Sequence, residues 1–155
     1  MRSRGFTLIE MLVVLAMLGI LAAAARPLLE VSVQRTREQE LRAALRSLRG
    51  AIDAYKQAVD SGRIAQAADD SGYPPNLQVL VDGVRDAKAV DERRLYFLRR
   101  LPRDPFADPA LTPQQTWGLR AADSPPDDPR AGRDVFDVYS RSERRALDGT
   151  RLGDW

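Results

Sequence analysis

Residues 4–25 read RGFTLIEMLVVLAMLGILAAAA, and this segment sets the architecture of the chain. From Phe6 onward its only polar residues are Thr7 and Glu10. At about 1.5 Å of rise per residue, such a helix reaches roughly 30 Å, the thickness of the hydrocarbon core of a bilayer. A soluble amphipathic helix would carry a polar stripe, which this segment lacks. The pattern therefore predicts a membrane-spanning helix over residues 6–26.

Glu10 is the unusual residue of this span. A carboxylate in an apolar span costs about 2–3 kcal/mol or more unless it is paired or reaches water. The nearest following cation, Arg26, lies roughly 24 Å away along a helix, which is too far to pair with Glu10. The partner is therefore expected from a neighbouring subunit, or from a new amino terminus made by cutting before Phe6. Glu10 predicts a role in assembly.

An ordinary secretory signal peptide is the alternative interpretation of this segment. Ala22–Ala25 resemble the small residues at which such peptides are cut. That interpretation leaves Glu10 unexplained, and the apolar stretch is longer than the usual core of about 7–15 residues. The sequence therefore favours a helix that is retained.

Composition excludes several classes of function. The chain has 24 Lys and Arg against 22 Asp and Glu, and the excess lies in residues 1–27, so residues 28–155 are neutral. A neutral body does not support capture of nucleic acid. The absence of Cys and His excludes disulfides, thiol nucleophiles, Cys/His zinc sites and histidine-based catalytic relays. The adjacent pairs Asp69-Asp70 and Asp127-Asp128 lie in loop-forming sequence and are interpreted as solvated turn residues. An enzyme is the most distant alternative.

A second apolar pattern follows Pro27, which is expected to kink or loosen the helix. Six apolar residues recur at helical spacing and form one stripe: Leu41, Leu45, Leu48, Ile52, Tyr55 and Val59. They predict an amphipathic helix over residues 27–62 that ends at Gly62, with an i,i+4 pair between Glu38 and Arg42. The stripe either packs against a globular domain or seeds a coiled coil, and Gly50 disfavours the second.

Residues 63–155 form shorter segments separated by Pro and Gly, which indicates a small globular domain. Two short helices are expected, one capped by Asn76 and ending near Gly83, the other capped by Asp91 and spanning Glu92–Arg100.

Strands are expected at 116–121 and 134–140, with an exposed loop at 123–130 between them. Residues 101–106 are expected to form a rigid turn in which Asp104 accepts backbone N–H groups.

The segment Arg4-Gly5-Phe6-Thr7-Leu8-Ile9-Glu10 followed by Met11-Leu12-Val13-Val14 resembles the leader of type IV pilins and pseudopilins. The resemblance implies that residues 1–5 are a leader, that a prepilin peptidase cuts between Gly5 and Phe6, and that Phe6 is then N-methylated. It also implies that Glu10 is the carboxylate through which subunits pair.

Later segments resemble one branch of that family, the major pseudopilins of type II secretion systems. They occur in the same order along the chain: Gly72-Tyr73-Pro74-Pro75, Leu101-Pro102-Arg103-Asp104-Pro105-Phe106, Trp117-Gly118, Asp134–Ser140, Asp148-Gly149 and Asp154-Trp155. The resemblance implies an α+β, type IV pilin-like fold. In that fold a long spine helix, with a membrane half and an amphipathic half, packs on a small domain of short helices and a small antiparallel sheet.

The function implied is that of a structural subunit of a pseudopilus that drives protein export. Its expected partners are further copies of itself, minor pseudopilins, the inner-membrane secretion platform and prepilin peptidase. Its expected location is the bacterial inner membrane, crossed once, with the C-terminal domain in the periplasm, and then the periplasmic filament. The alternatives are a type IV pilus subunit, major or minor, and a membrane-tethered binding module that is neither cut nor assembled.

The resemblance also implies a calcium ion in the C-terminal loop, with Asp148 and Asp154 as candidate ligands. The chain departs from the family here, because residues 141–145 read RSERR where the family has a Gly-rich acidic loop. Calcium takes six to eight oxygen ligands, and three arginines disfavour a dication. The alternative is a turn in which Asp148 and Gly149 satisfy backbone donors.

Overall fold

The computed structural model of the protein describes residues 7–67 and 69–155, except for the side chains of residues 23–28. The chain divides into two compact units, one that ends at Thr36 and one that spans Arg37–Trp155.

The first unit is built from the N-terminal part of helix α1 (Leu8–Asp60). The predicted long N-terminal helix is confirmed over this range. Helix α1 continues through Pro27. The side chain of Pro27 lies outside those described, so the kink expected there stays a prediction.

The second unit has its core on the apolar stripe of α1. All six stripe residues are buried, and Leu41 and Leu48 are fully so. Burial of a Leu or Ile side chain contributes about 1.5–3 kcal/mol, so the stripe is a major source of stability. Because the chain's own domain covers this face, the stripe serves the globular core rather than a coiled coil. Buried residues from the rest of the unit complete the core: Ile64, Leu77, Leu80, Trp117, Val135, Val138, Ala146 and Leu152.

Helix α1 ends where the sequence places a glycine. Its last helical residue is Asp60, and Gly62 adopts a φ of 70°, a left-handed conformation that glycine enters without strain. The N–H groups of Gly62 and Arg63 donate to the carbonyls of Val59 and Ala58, both at 2.8 Å. The predicted stop at Gly62 is confirmed, and it turns the chain back over the helix.

A short helix, α2 (Val79–Asp82), lies next along the chain. The N-cap residue is Gln78 rather than the predicted Asn76, because the chain turns once before the helix begins. Asn76 still contributes, since its Oδ1 accepts the Val79 N–H at 3.1 Å. Leu80 is fully buried and ties α2 to the core. Gly83 follows with a φ of 75°, as expected for a helix that stops there.

The helix predicted over Glu92–Arg100 is wrong. Instead β1 (Val84–Arg85) and β2 (Arg94–Leu95) form an antiparallel pair, with Val84 opposite Leu95. The Phe97 and Leu98 N–H groups both donate to the Leu80 carbonyl, at 3.0 and 2.9 Å. These long-range backbone bonds favour extended chain over the weak local helical pattern.

The second sheet consists of β3 (Trp117–Arg120) and β4 (Asp137–Ser140). The strands are antiparallel, with Gly118 opposite Tyr139 and Leu119 opposite Val138. The predicted strands are confirmed with shorter ends.

The 101–106 turn contains the buried carboxylate of Asp104, which is 2% exposed. Its Oδ1 accepts the Phe106 N–H at 2.7 Å, as predicted, and its Oδ2 accepts the Ser140 hydroxyl. The Trp117 indole N–H donates to the Pro102 carbonyl at 2.9 Å. The turn is thus fixed to both strands of the second sheet.

Candidate functional site

Glu10 lies in the first turn of α1, where its backbone N–H donates to the Thr7 Oγ1 at 3.3 Å. Thr7 therefore caps the helix, and Thr7-Leu8-Ile9-Glu10 has the Thr-x-x-Glu spacing of a capping box. That spacing was the signal that could have identified Thr7 as the helix start. A carboxylate in the first turn is also favoured by the helix dipole.

The surface around Glu10 is apolar on every side of the helix. Residues 11–15 are five consecutive exposed apolar residues, and five consecutive positions pass once around a helix. Further along, Met17, Leu18, Ile20 and Leu21 are each more than half exposed. An apolar surface of this extent indicates contact with a membrane or with other proteins. Glu10 is exposed within this surface.

Within the described part of the chain, no helix has the combined length and hydropathy that crossing a membrane requires. The predicted span 6–26 includes Phe6 and side chains among residues 23–28, which lie outside the description. The predicted cleavage site between Gly5 and Phe6 lies outside it as well.

Asp148 occupies a tight turn in the C-terminal segment. Its Oδ1 accepts the Thr150 N–H at 3.0 Å and the Thr150 hydroxyl at 2.6 Å, and Gly149 has a φ of 88°. Its Oδ2 lies 3.4 Å from an Arg42 Nη2 on α1. The hydroxyl and N–H of Thr150, followed by the Arg42 charge, hold the pKa of Asp148 below its usual range. This geometry matches the capped turn that the sequence offered as the alternative to calcium.

Asp154 lies in a terminal 3-10 helix (Leu152–Asp154). It lines an open cleft of about 620 Å³ that Asp148 does not line. Arginines 120, 141 and 151 stand among the lining residues of that cleft. In the described residues no group of three or more acidic side chains is placed to hold a metal ion. Asp148 and Asp154 therefore do not fit a shared calcium site.

Three α1 side chains contact the C-terminal part of the chain, and for none of them did the sequence identify that partner. Glu38 Oε1 accepts the Leu147 N–H at 2.8 Å, and Arg42 forms an ion pair with Asp148. The i,i+4 pair between Glu38 and Arg42 stays a prediction. Arg49 donates to Asp137 Oδ1 at 2.8 Å and to the Trp155 carbonyl at 2.6 Å. Their spacing along α1 places them on one side of the helix, but only the fold identifies their partners.

The two pairs of adjacent aspartates show no catalytic arrangement. Asp69, Asp70, Asp127 and Asp128 are exposed. Asp70 Oδ2 accepts the Ala67 N–H at 3.3 Å, and Asp128 forms an ion pair with Arg130. They are turn residues, as interpreted from the sequence.

The chain is similar to known proteins both in its N-terminal segment and along most of its length. Residues 1–25 match the prokaryotic N-terminal methylation motif. The chain is 36% identical over 109 residues to the type II secretion system core protein G of Klebsiella pneumoniae, across 68% of this chain and 70% of that protein. It is 33% identical over 120 residues to the protein of the same name from Aeromonas hydrophila, across 74% and 76%. The chain belongs to the type II secretion system core protein G family.

This membership confirms the resemblance to the major pseudopilins, and with it the α+β, pilin-like fold. A shorter likeness joins the chain to the type IV major pilin protein PilA of Myxococcus xanthus, at 36% identity over 74 residues. It covers 48% of this chain and 33% of that pilin. No solved structure matches the chain significantly.

Proposed function

We propose that the chain is the major structural subunit of a type II secretion pseudopilus. The observation that carries the proposal is the surface of α1 around Glu10, which is apolar on every side and holds one carboxylate within the methylation motif. A surface of this kind is stable only when lipid or other subunits cover it. Its role is mechanical rather than enzymatic.

Processing prepares the subunit for assembly. Prepilin peptidase cuts between Gly5 and Phe6, and Phe6 becomes the methylated amino terminus. The positive amine of Phe6 in one subunit then neutralises Glu10 of its neighbour. Each charge is costly alone in an apolar environment, and the pair is tolerated in the assembled filament.

The same surface supports a location at the membrane. Residues 6–26 hold the subunit in the inner membrane in a single pass, with Arg2 and Arg4 keeping the leader on the cytoplasmic side. Residues 63–155 then lie in the periplasm. Extraction of subunits and stacking of their N-terminal helices, together with minor pseudopilins and the inner-membrane platform, would extend a filament that pushes substrates outward.

The mass of the mature N-terminal peptide tests the proposal. The full chain is produced with and without a prepilin peptidase, and its N-terminal peptide is measured by mass spectrometry. We expect loss of residues 1–5 and gain of one methyl group only when the peptidase is present. A Gly5→Ala variant, which alters the cut site alone, should remain full length. An intact Met1 with active peptidase, or a cut after Ala25, would contradict the proposal.

A type IV pilus subunit is the second candidate, and the partial likeness to a major pilin supports it. Complementation separates the two candidates. The chain is expressed in a secretion-competent host that lacks its own core protein G, and in a piliated host that lacks its major pilin. Restored export in the first host, without surface pili in the second, is the result expected for a pseudopilin.

A further inference from the structure

The C-terminal segment, residues 144–155, is fastened to α1 by arginine side chains. The segment turns back on itself, with the Ala146 N–H donating to the Thr150 carbonyl at 2.8 Å. Ala146 and Leu152 are buried and anchor it in the core of the second unit. Its turn, however, lies at the surface, where polar contacts determine its conformation.

Two guanidinium groups contact oxygen atoms of that turn, one on a carboxylate and one on a backbone carbonyl. Arg42 Nη2 lies 3.4 Å from the Asp148 Oδ2, and Arg145 Nη1 donates to the Gly149 carbonyl at 2.9 Å. The other carboxylate oxygen of Asp148 already accepts two hydrogen bonds from Thr150. A carboxylate and a backbone carbonyl are the types of oxygen that a calcium ion would take. Both are already engaged by positive charge from the chain itself.

The Arg42 guanidinium also stacks on an aromatic ring. Its Cζ lies 4.1 Å from the centroid of the Trp155 ring. The Trp155 indole N–H donates to the Thr150 Oγ1 at 2.8 Å, and that hydroxyl donates to Asp148. The contacts therefore form a closed circuit of four residues: Arg42, Asp148, Thr150 and Trp155. Arg49 holds the end of the segment by donating to the Trp155 carbonyl.

We propose that Arg42, Arg49 and Arg145, the arginine latch, hold the C-terminal segment in place of a metal ion. The fold of this chain is consequently independent of calcium. Calcium on Asp148 would lie beside the Arg42 guanidinium and would have to displace it. The ion would also lack ligands, because it needs six to eight oxygens and the turn offers few.

The arrangement gives Arg145, one of the arginines of the basic sequence at 141–145, a part in holding the C-terminal turn. The ion pair between Arg42 and Asp148 is about half exposed on each side, so alone it contributes little. The stacking on Trp155 and the Thr150 hydrogen bonds add to it within the same circuit. Loss of one member therefore loosens the rest.

Thermal unfolding of the full chain in detergent tests this inference. The Tm is recorded by Trp fluorescence with millimolar CaCl₂ and with excess EGTA, and CaCl₂ is titrated into the EGTA-treated protein by calorimetry. We expect the same Tm in both conditions and no saturable calcium binding. A Tm that falls in EGTA, or saturable binding that Asp148→Asn abolishes, would overturn the inference.

A double-mutant cycle then assigns the role to Arg42. Arg42→Ala and Asp148→Asn should each lower Tm by about 2–4 °C, and the double variant should lose less than the sum of the two single losses. Arg46→Ala is the matched control, because it removes the same charge one turn further along α1. In the described structure Arg46 makes no ion pair, so its Tm should change by no more than about 1 °C. A double variant whose loss equals the sum of the two single losses would overturn the role of Arg42.

Filament formation is tested separately, because this arm alone rests on the proposed function. Cells that make the full secretion machinery are grown with calcium and with chelator, and pseudopili are counted by electron microscopy. Equal numbers in both media are expected from the latch, and a loss restricted to chelator would overturn it. Absence of filaments in both media would count against the proposed function. The Tm measurements would still show whether the arginine latch replaces a metal ion.

Discussion

At the scale of single residues, Asp86 shows how one carboxylate fixes a loop. It is 5% exposed, and its Oδ2 accepts the Arg63 Nε–H at 3.1 Å and the Nη2–H at 2.6 Å. Its Oδ1 accepts the Lys88 N–H at 3.1 Å. These bonds, led by the one from Arg63, hold the pKa of Asp86 below its usual range. Asp86 thereby joins the loop after β1 to the end of α1.

Replacement of Asp86 by Asn should change how the Tm of the protein depends on pH in the acid range. A carboxyl with a lowered folded-state pKa contributes stability above its unfolded-state value of about 3.9, and loses it as pH falls through the folded-state value. The Tm difference between the natural chain and Asp86→Asn should therefore be full at pH 7 and shrink below about pH 4. Asp53→Asn, at an exposed position of α1, should give no such difference. A difference that is constant from pH 7 to pH 3 would contradict the assignment.

At the scale of elements, the second sheet has a glycine, Gly118, that is covered by the ring of Tyr139 on the neighbouring strand. Gly118 on β3 pairs with Tyr139 on β4. A Cβ added at Gly118 would lie 2.3 Å from two atoms of the Tyr139 ring, which is closer than any tolerated contact. The ring thus fills the space that a side chain on β3 would occupy.

Gly118→Ala should therefore destabilise the protein by about 1–3 kcal/mol, because the ring or the strand must move. Urea unfolding of the full chain in detergent measures the effect. In a Tyr139→Ala background the same change should cost much less, since the ring is gone. Gly50→Ala is the control, because a Cβ there meets no atom within 4 Å. In that helical position Ala should stabilise by about 0.5–1 kcal/mol.

How far local sequence predicts an element depends on where its partners lie. The stripe from Leu41 to Val59 was predictable because helical spacing and burial are properties of one segment. The segment 92–100 was not, because Leu95 and Leu98 share a helical spacing that favours the wrong state. The deciding contacts are Val84 opposite Leu95 and the bonds to the Leu80 carbonyl, which join distant parts of the chain.

At the scale of the whole molecule, the N-terminal segment is a feature of local sequence, whereas the arginine latch joins residues that are distant in sequence. Gly5, Phe6 and Glu10 form a contiguous motif that can be recognised without any fold. Arg42 and Asp148 are 106 residues apart, and nothing local in either segment indicates the other. The assembly residues could therefore be proposed from sequence, whereas the device that holds the C-terminal segment needed the structure.

Glu10→Leu tests whether the one carboxylate of the apolar surface serves assembly. Leu removes a charge that costs about 2–3 kcal/mol in an apolar environment, so membrane insertion and removal of residues 1–5 should be unimpaired. Assembly should fall by at least about tenfold, because the amine of Phe6 in the neighbouring subunit loses its partner and is itself left unpaired. Membrane fractionation, N-terminal mass and filament counts by electron microscopy separate these steps. Met11→Leu, an apolar exchange at the next position, should leave all three readings unchanged. Filaments at normal numbers in Glu10→Leu would refute charge pairing as the driving contact, since processing and membrane attachment are expected to survive in either case.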